Sequence, residues 1–169
     1  MYKIFSESTH DCNNIEYLLD KAFGHARFGL NSYRLRDGLD PVKELSFVVK
    51  DEFFVIIGSI RYWPILIGKK NYEALLLGPL GVHPIRQGEG IGGLLINHSL
   101  KIAKGFGWKR VILVGDMGYY KRFGFSRSII KNIKFNYPND EERLLGKELL
   151  KGSFYRINGQ VKRCELLKN

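Results

Sequence analysis

The sequence predicts one α/β (α+β) domain spanning residues 1–169, a mixed and mostly antiparallel sheet flanked by helices. Three observations carry this. Leu45 to Ile60 is rich in β-branched and aromatic residues and is broken by Asp51-Glu52, the pattern of an antiparallel hairpin. Residues 72–114 read strand, glycine loop, helix, strand, a crossover whose two strands run parallel. Beyond Gly124-Phe125 the chain is again mostly β. A length of 169 residues suits one domain with a substantial core, and neither a repeat nor a low-complexity linker divides it.

Tyr2-Lys3-Ile4-Phe5 alternates weakly and reads as a short first strand. Asp11 to Phe23 carries Ile15, Leu18, Leu19, Ala22 and Phe23 at helical spacing, with Gly24 as the stop signal. Residues 31–36 read as a second short helix, capped by Asn31 and ended near Gly38. Leu45 to Val49 and Phe53 to Ile60 form the hairpin, and Gly68-Lys69-Lys70-Asn71 makes the next turn. Tyr72 to Val82 is another apolar strand, whose ladder Gly78-Pro79 should distort. Ile91 to Phe106 is a helix with Ile91, Leu94, Leu95, His98 and Ile102 on one face, ended by Gly105 and Gly107. Val111 to Val114 is short and wholly apolar, as a strand buried on both faces is. In the tail, Arg143 to Leu150 and Phe154 to Ile157 are candidate strands, and Asn158-Gly159 is a hairpin turn between Ile157 and Val161.

Apolar residues make up 44% of the chain and charged residues 26%, which is the composition of a soluble globular protein. No apolar run approaches the roughly 20 residues that span a bilayer, and the longest, Phe53 to Ile67, is broken by Gly58, Arg61 and Pro64. Met1 to Glu7 lacks the basic start and long apolar stretch of a signal peptide. Cys12 and Cys164 offer no disulfide framework and no metal spacing, so a reducing cytoplasm is the expected setting. The net charge is +10 and uneven: residues 121–169 hold 12 Lys or Arg against 5 Asp or Glu, the first 120 hold 15 against 12. A basic surface gathers anions, whether a phosphorylated cofactor, an acidic substrate or nucleic acid, or it serves solubility alone.

The segment Gly81-Val-His-Pro-Ile-Arg-Gln-Gly-Glu-Gly-Ile-Gly-Gly93 is a phosphate-cradling loop at a helix start. The first N–H groups of a helix have no internal partner and sit at the positive end of its dipole, so a pyrophosphate can accept several at once. Glycines let the phosphates approach and allow the positive φ that a concave nest of N–H groups needs. Pro84 stiffens the approach, and Arg86 can add a charge-assisted contact. Gly88, Gly90 and Gly93 also satisfy G-x-G-x-x-G, with Asp116 placed 23 residues after Gly93 where a ribose-binding acid would sit, so a nicotinamide dinucleotide is a competing ligand. A dinucleotide fold needs several strand–helix–strand units, and one is visible here. No Gly-Lys-Ser or Gly-Lys-Thr follows the loop, so it is not a P-loop.

The loop has a companion in Tyr119-Tyr-Lys-Arg-Phe-Gly-Phe125. Val82-x-Pro84-x-x-Gln87-Gly88-x-Gly90-Ile91-Gly92, a helix, a short apolar strand and Tyr120-x-x-x-Gly124-Phe125 together resemble the GNAT superfamily of acyl-CoA N-acyltransferases, over roughly residues 45–125. Arg34-Leu35-Arg36-Asp37-Gly38 and the tail after Phe125 resemble a bacterial subgroup of that superfamily. The resemblance implies a mixed six- or seven-stranded sheet in which two parallel strands, 72–82 and 110–115, splay apart around the pantetheine arm of acetyl-CoA. It assigns the pyrophosphate to the loop, with Arg86, Gln87, Gly88, Gly90, Ile91, Gly92 and Gly93 as cofactor-binding residues. Main-chain groups of Leu80 and Val82 would hold the arm and polarise the thioester carbonyl. Tyr120 matches the tyrosine that protonates the departing thiolate, and a phenol with a reference pKa of about 10 is protonated at neutral pH. Tyr119 is its neighbour and rival. Asp116 stands where many members have Asn, and only Met117-Gly118-Tyr119 separate it from Tyr120, so the helix before the tyrosine must be shorter than in those members.

The implied reaction is N-acetyl transfer from acetyl-CoA to a primary amine by direct attack in a ternary complex, with no metal. The acceptor is an amine-bearing small molecule or a protein or peptide amine, and the protein is a monomer or a homodimer, away from membranes. A general base is needed, and Glu73, Glu44 and His83 are the candidates. His98 lies on the apolar helix face as a packed residue, and His10 and His25 are isolated. Tyr33, Phe47, Tyr62 and Trp63 suit an acceptor pocket or the core. A different class of function, a basic nucleic-acid-binding or ribosome-associated protein, would use the basic tail with Tyr119, Tyr120, Phe123, Phe125, Phe135 and Tyr137 interleaved, although the chain has no recognised nucleic-acid motif.

Overall fold

The computed structural model describes residues 2–135 and 138–165, so Tyr137 lies outside the described residues. Eight strands and four α-helices follow in the order β1 (Lys3–Ser6), α1 (Cys12–Phe23), α2 (Asn31–Arg34), β2 (Phe47–Lys50), β3 (Ile56–Ile67), β4 (Tyr72–Val82), α3 (Ile91–Gly105), β5 (Arg110–Val114), α4 (Met117–Tyr120), β6 (Ile133–Lys134), β7 (Leu144–Glu148) and β8 (Gly159–Arg163). The sheet runs β1-β2-β3-β4-β5-β7, with β8 added against β3 and β6 against β8. Its pairings are antiparallel except β4–β5 and the two-residue β6–β8 contact. This is the expected mixed sheet with one strand–helix–strand crossover, too few such units for the dinucleotide fold. No helix among the described residues is long and apolar enough to cross a membrane.

Alternation along the central strands separates two cores. Leu75 and Leu77 of β4, Val111 and Leu113 of β5 and Leu145 of β7 face α3, which lays Ile91, Leu95, Ile96 and Leu100 on them. Leu76, Ile112 and Leu144 face the opposite side, under Ile130, Ile133, Phe154 and Ile157. Each aliphatic side chain so buried contributes about 1.5–3 kcal/mol. Helix α1 covers the remaining patch with Ile15, Leu18 and Leu19, against Val48 and Ile56.

Gly78-Pro79 does distort the ladder. Ile60 pairs with Leu80 and Tyr62 with Leu77, so Arg61 faces two residues of β4, a β-bulge. The extra residue inverts the alternation: Leu75 and Leu77 face α3 before the bulge, Leu80 and Val82 after it. The Trp63 indole closes the bulge by donating to the Gly78 carbonyl at 2.7 Å, a buried contact. The splay is also visible, since β4 and β5 are paired only at Leu75–Val111 and Leu76–Ile112.

Four expectations need correction. Asn31 does not cap α2: Leu30 holds the cap position, and the Asn31 amide instead donates to Asp140 at 3.0 Å. The buried face of α3 is rotated from the expected one, with Leu94 exposed and Ile96, Ser99, Leu100 and Ala103 inside. Apolar patterning misplaced it because Ser99 sits at its centre, donating to Leu95 O at 2.7 Å while its Oγ lies 2.7 Å from the buried Tyr62 hydroxyl. Phe154 to Ile157 is a turn, held by the Phe154 N–H donating to Glu148 at 2.9 Å and by Arg156 at φ 59°. Consequently Asn158-Gly159 is no hairpin turn, and β8 pairs with β3.

Candidate active site

The site forms where the sheet opens. Beyond Leu76 the β5-facing edge of β4 has no strand partner among the described residues. Two cavities meet there. The larger, about 470 Å³, lies between that edge, the start of α3 and the α4 segment. Every residue predicted for the site lines it: Leu80, Val82, Arg86, Gln87, Gly88, Gly90, Ile91, Gly92, Gly93 and Tyr120. The smaller, about 210 Å³, lies between residues 77–80 of β4, residues 114–116 at the end of β5, and the α2 segment. Phe23, Leu80 and Tyr120 line both.

The glycines of the loop divide into two kinds. Gly88 and Gly90 hold φ of 86° and 82° with open space around them, conformations that would cost another residue about 1–2 kcal/mol. Gly90 caps α3, and the first bond of the helix runs from Leu94 N–H to Gly90 O at 3.0 Å. The N–H groups of residues 91–93 therefore have no acceptor within the helix, at the positive end of its dipole. Gly92 and Gly93 have a packing role that the sequence reading did not assign. A Cβ on Gly92 would lie 2.5 Å from the Tyr119 hydroxyl, and one on Gly93 3.4 Å from the Phe123 ring. The helix start is thus fitted to the aromatic segment as well as open to the cleft. Arg86 is held by Glu89 at 3.7 Å and Asp51 at 3.9 Å, and the Tyr2 hydroxyl donates to the same Glu89. Gln87 Nε2 donates to Val82 O at 3.4 Å.

On the other wall, Asp116 caps α4 by accepting from Gly118 N–H at 3.1 Å. The helix is a single turn, followed by the 3-10 turn Lys121–Phe123, as short as the spacing required. The Tyr120 ring lies on Gly115, where a Cβ would sit 2.6 Å from it, and meets Tyr119 and Phe125 edge-on at 4.9 and 5.9 Å. Burial, aided by Tyr119 and opposed by Arg143, pushes the Tyr120 hydroxyl up to about 12. Burial also raises Tyr119, against the pull of Arg122.

Glu73, Glu44 and His83 line neither cavity. His83 serves the turn, its Nδ1 accepting from Ile85 N–H at 3.3 Å. Asp116 is the one carboxylate lining either cavity among the described residues. Phe47, Tyr62 and Trp63 are core, whereas Tyr33 lines the smaller cavity. His98 packs edge-on to Phe47 at 4.8 Å, as its place on the helix suggested. Phe23, Arg36, Arg122 and Phe123 line the cavities without having been singled out as site residues. Arg122 and Phe123 lie inside the tyrosine motif, which was the available signal; Phe23 and Arg36 arrive only through packing.

A family model for the acetyltransferase (GNAT) domain matches residues 43–127. YhbS of Escherichia coli K12, an uncharacterised N-acetyltransferase, is 24% identical over 151 residues, 89% of each chain. The crystal structure of YhbS in complex with CoA shares the fold, with a TM-score of 0.85 at 22% identity, covering 97% of this chain and 90% of that one. A GNAT family acetyltransferase from Brucella melitensis, crystallised with acetyl-CoA, is 34% identical, with a TM-score of 0.62 over 75% of this chain and 83% of its own. The family match takes in the bulged strand, the glycine loop, α3 and the tyrosine motif, and with it the chain belongs to the GNAT family of acetyltransferases.

Proposed function

We propose that this GNAT acetyltransferase takes its acetyl group from acetyl-CoA and passes it to a primary amine by direct attack in a ternary complex. One observation carries the reading: the ten residues expected to handle acetyl-CoA line a single cleft, and two of them, Leu80 and Tyr120, also border the second cavity. The pyrophosphate lies on the N–H groups of Ile91, Gly92 and Gly93. The pantetheine arm runs along the unpaired edge of β4, where main-chain groups of Leu80 and Val82 hold it and polarise the thioester carbonyl. The acceptor enters from the smaller cavity. Its neutral amine attacks the carbonyl carbon, the C–S bond breaks, and the amine gives up one proton as the amide forms.

Asp116 is the group placed to receive that proton, directly or through a water. Tyr120 donates to the leaving sulfur. A thiol near 8.5 is about 3.5 pKa units more acidic than a phenol at 12, so the phenol supports the thiolate chiefly through its hydrogen bond. It stays protonated throughout the working range and should add no alkaline limb to the pH–rate profile below pH 10. Tyr120→Phe should lower kcat about tenfold to a hundredfold, with acetyl-CoA affinity nearly intact. Acetyl-CoA at 100 times its Kd should stabilise the fold by about 2.7 kcal/mol, read as a rise in Tm. No shift with acetyl-CoA or CoA, but a shift with NADH, would sink the reading.

A further inference from the structure

Three arginines of the described residues are buried: Arg27, Arg36 and Arg61, at 3%, 7% and 8% exposure. Two of them are neutralised. Arg61 donates to both oxygens of Glu7 at 2.9 and 2.7 Å. Arg27 donates to Asp20 at 3.1 Å and Glu16 at 2.5 Å. Arg36 has no such carboxylate. Its Nε and Nη1 are buried without any hydrogen-bond partner. The guanidinium stacks on Tyr33 at 4.2 Å and lies 5.8 Å from the Trp63 ring, contacts that hold its plane without supplying a counter-charge. Burial lowers it to about 10, so it is charged at neutral pH. An unpaired buried cation is costly to a fold, and an anion bound beside it would offset that cost.

That room exists. Arg36 lines the 210 Å³ cavity together with Tyr33, Gly78, Leu80 and Tyr120. Gly78 is the bulge residue, and a Cβ there would press on Arg36 Nη2 at 3.3 Å. The bulge that sets Leu80 thus also admits the guanidinium beside it. The other charged groups lining the cavity are Arg143 and Asp116. This arrangement disfavours a polyamine, whose charges would meet two arginines. The cavity is also below the about 300–1,000 Å³ of pockets for larger ligands.

We propose that the acceptor is a small amine bearing a carboxylate, an amino-acid-like molecule, whose carboxylate supplies the missing counter-charge of the Arg36 guanidinium while its amine points past Tyr120 to the thioester. The planar fork of an arginine matches a carboxylate bidentately. The inference rests on the acetyl-transfer reading above, and its test separates the two.

The test uses matched pairs of free amino acids and their carboxamides as acceptors, with polyamines and a peptide N-terminus alongside. Acetyl-CoA binding is measured separately. The carboxylate member of the best pair should be acetylated with kcat/KM about tenfold or more above its amide, through KM. Arg36→Met keeps the length of the side chain and removes the donors. It should erase that preference, leave acetyl-CoA affinity unchanged and leave Tm equal or higher, because a buried charge is gone. A purely structural arginine would instead lower Tm and affect both members of each pair alike. Equal use of amides, preference for polyamines or the peptide, no acetylation of any carboxylate by protein that binds acetyl-CoA, or loss of acetyl-CoA affinity in Arg36→Met would each overturn the proposal. Failure of the wild-type protein to bind acetyl-CoA would instead strike the acetyltransferase site itself.

Discussion

Tyr120 owes its position to a residue with no side chain. Gly115 lies under the ring, and a methyl group there would come 2.6 Å from one ring carbon and 3.1 Å from another. Gly115→Ala should therefore turn the ring out of line with the leaving sulfur. With Tyr120 in its proposed role, the expected result is a fall in kcat of about tenfold, with little change in acetyl-CoA affinity, because misplacing a reacting group by about 1 Å is costly. Wild-type kcat in this variant would show that the ring position does not matter. Asp116 permits a cleaner separation, since it both caps α4 and lines the cavity proposed for the acceptor. Asn caps as well as Asp does but is no general base. Asp116→Asn should thus keep Tm and acetyl-CoA binding while lowering kcat at neutral pH. Recovery of the rate as pH approaches the amine's own pKa is the sign that a base was lost. A lower Tm with an unaltered pH profile would assign Asp116 to the cap alone.

At the scale of the element, the bulge in β4 matters most. It inverts the strand so that Leu80 and Val82 share the face of α3, and it leaves the Gly78 carbonyl outside the regular ladder, met by the Trp63 indole at 2.7 Å. Trp63→Phe keeps an aromatic ring and removes the donor, leaving a buried carbonyl unsatisfied. The cost should be about 2 kcal/mol, or roughly 6 °C in Tm for a domain of this size. Acetyl transfer should weaken further than stability explains, because Leu80 is two residues along the same strand. Unchanged Tm would mean the carbonyl finds another partner.

At the scale of the whole molecule, the net charge of +10 surrounds a cleft whose cofactor is a polyanion. Such a field raises the rate of encounter and is screened by salt, with a Debye length of about 10 Å at 0.1 M. The association rate of acetyl-CoA should fall several-fold between low and moderate salt, while dissociation, governed at the proposed site by short contacts to main-chain N–H groups, should change little. A salt effect confined to dissociation would contradict this. Nucleic-acid binding would instead lose affinity far more steeply, by about a thousandfold or more between 50 and 200 mM salt for six phosphate contacts.

Local chemistry announces itself in the sequence. The glycine loop, the short tyrosine turn after Asp116, the hairpin and the single crossover were all legible, because each rests on residues close together in the chain. So was the distortion at Gly78-Pro79, though not its effect on which face Leu80 and Val82 take. Ser99 misled the reading of α3, because its partner Tyr62 lies 37 residues away. Phe154 to Ile157 misled it because apolar content alone does not separate a strand from a buried turn. The cavity proposed for the acceptor was wholly illegible. Its walls come from α2, the bulge in β4 and the end of β5, and the missing counter-charge of Arg36 is apparent only once every carboxylate has been placed. The half of the site proposed for the cofactor is encoded locally, since a helix start and its glycines suffice to cradle phosphate. The half proposed for the acceptor depends on long-range packing, which alone decides which buried charge is left without a partner.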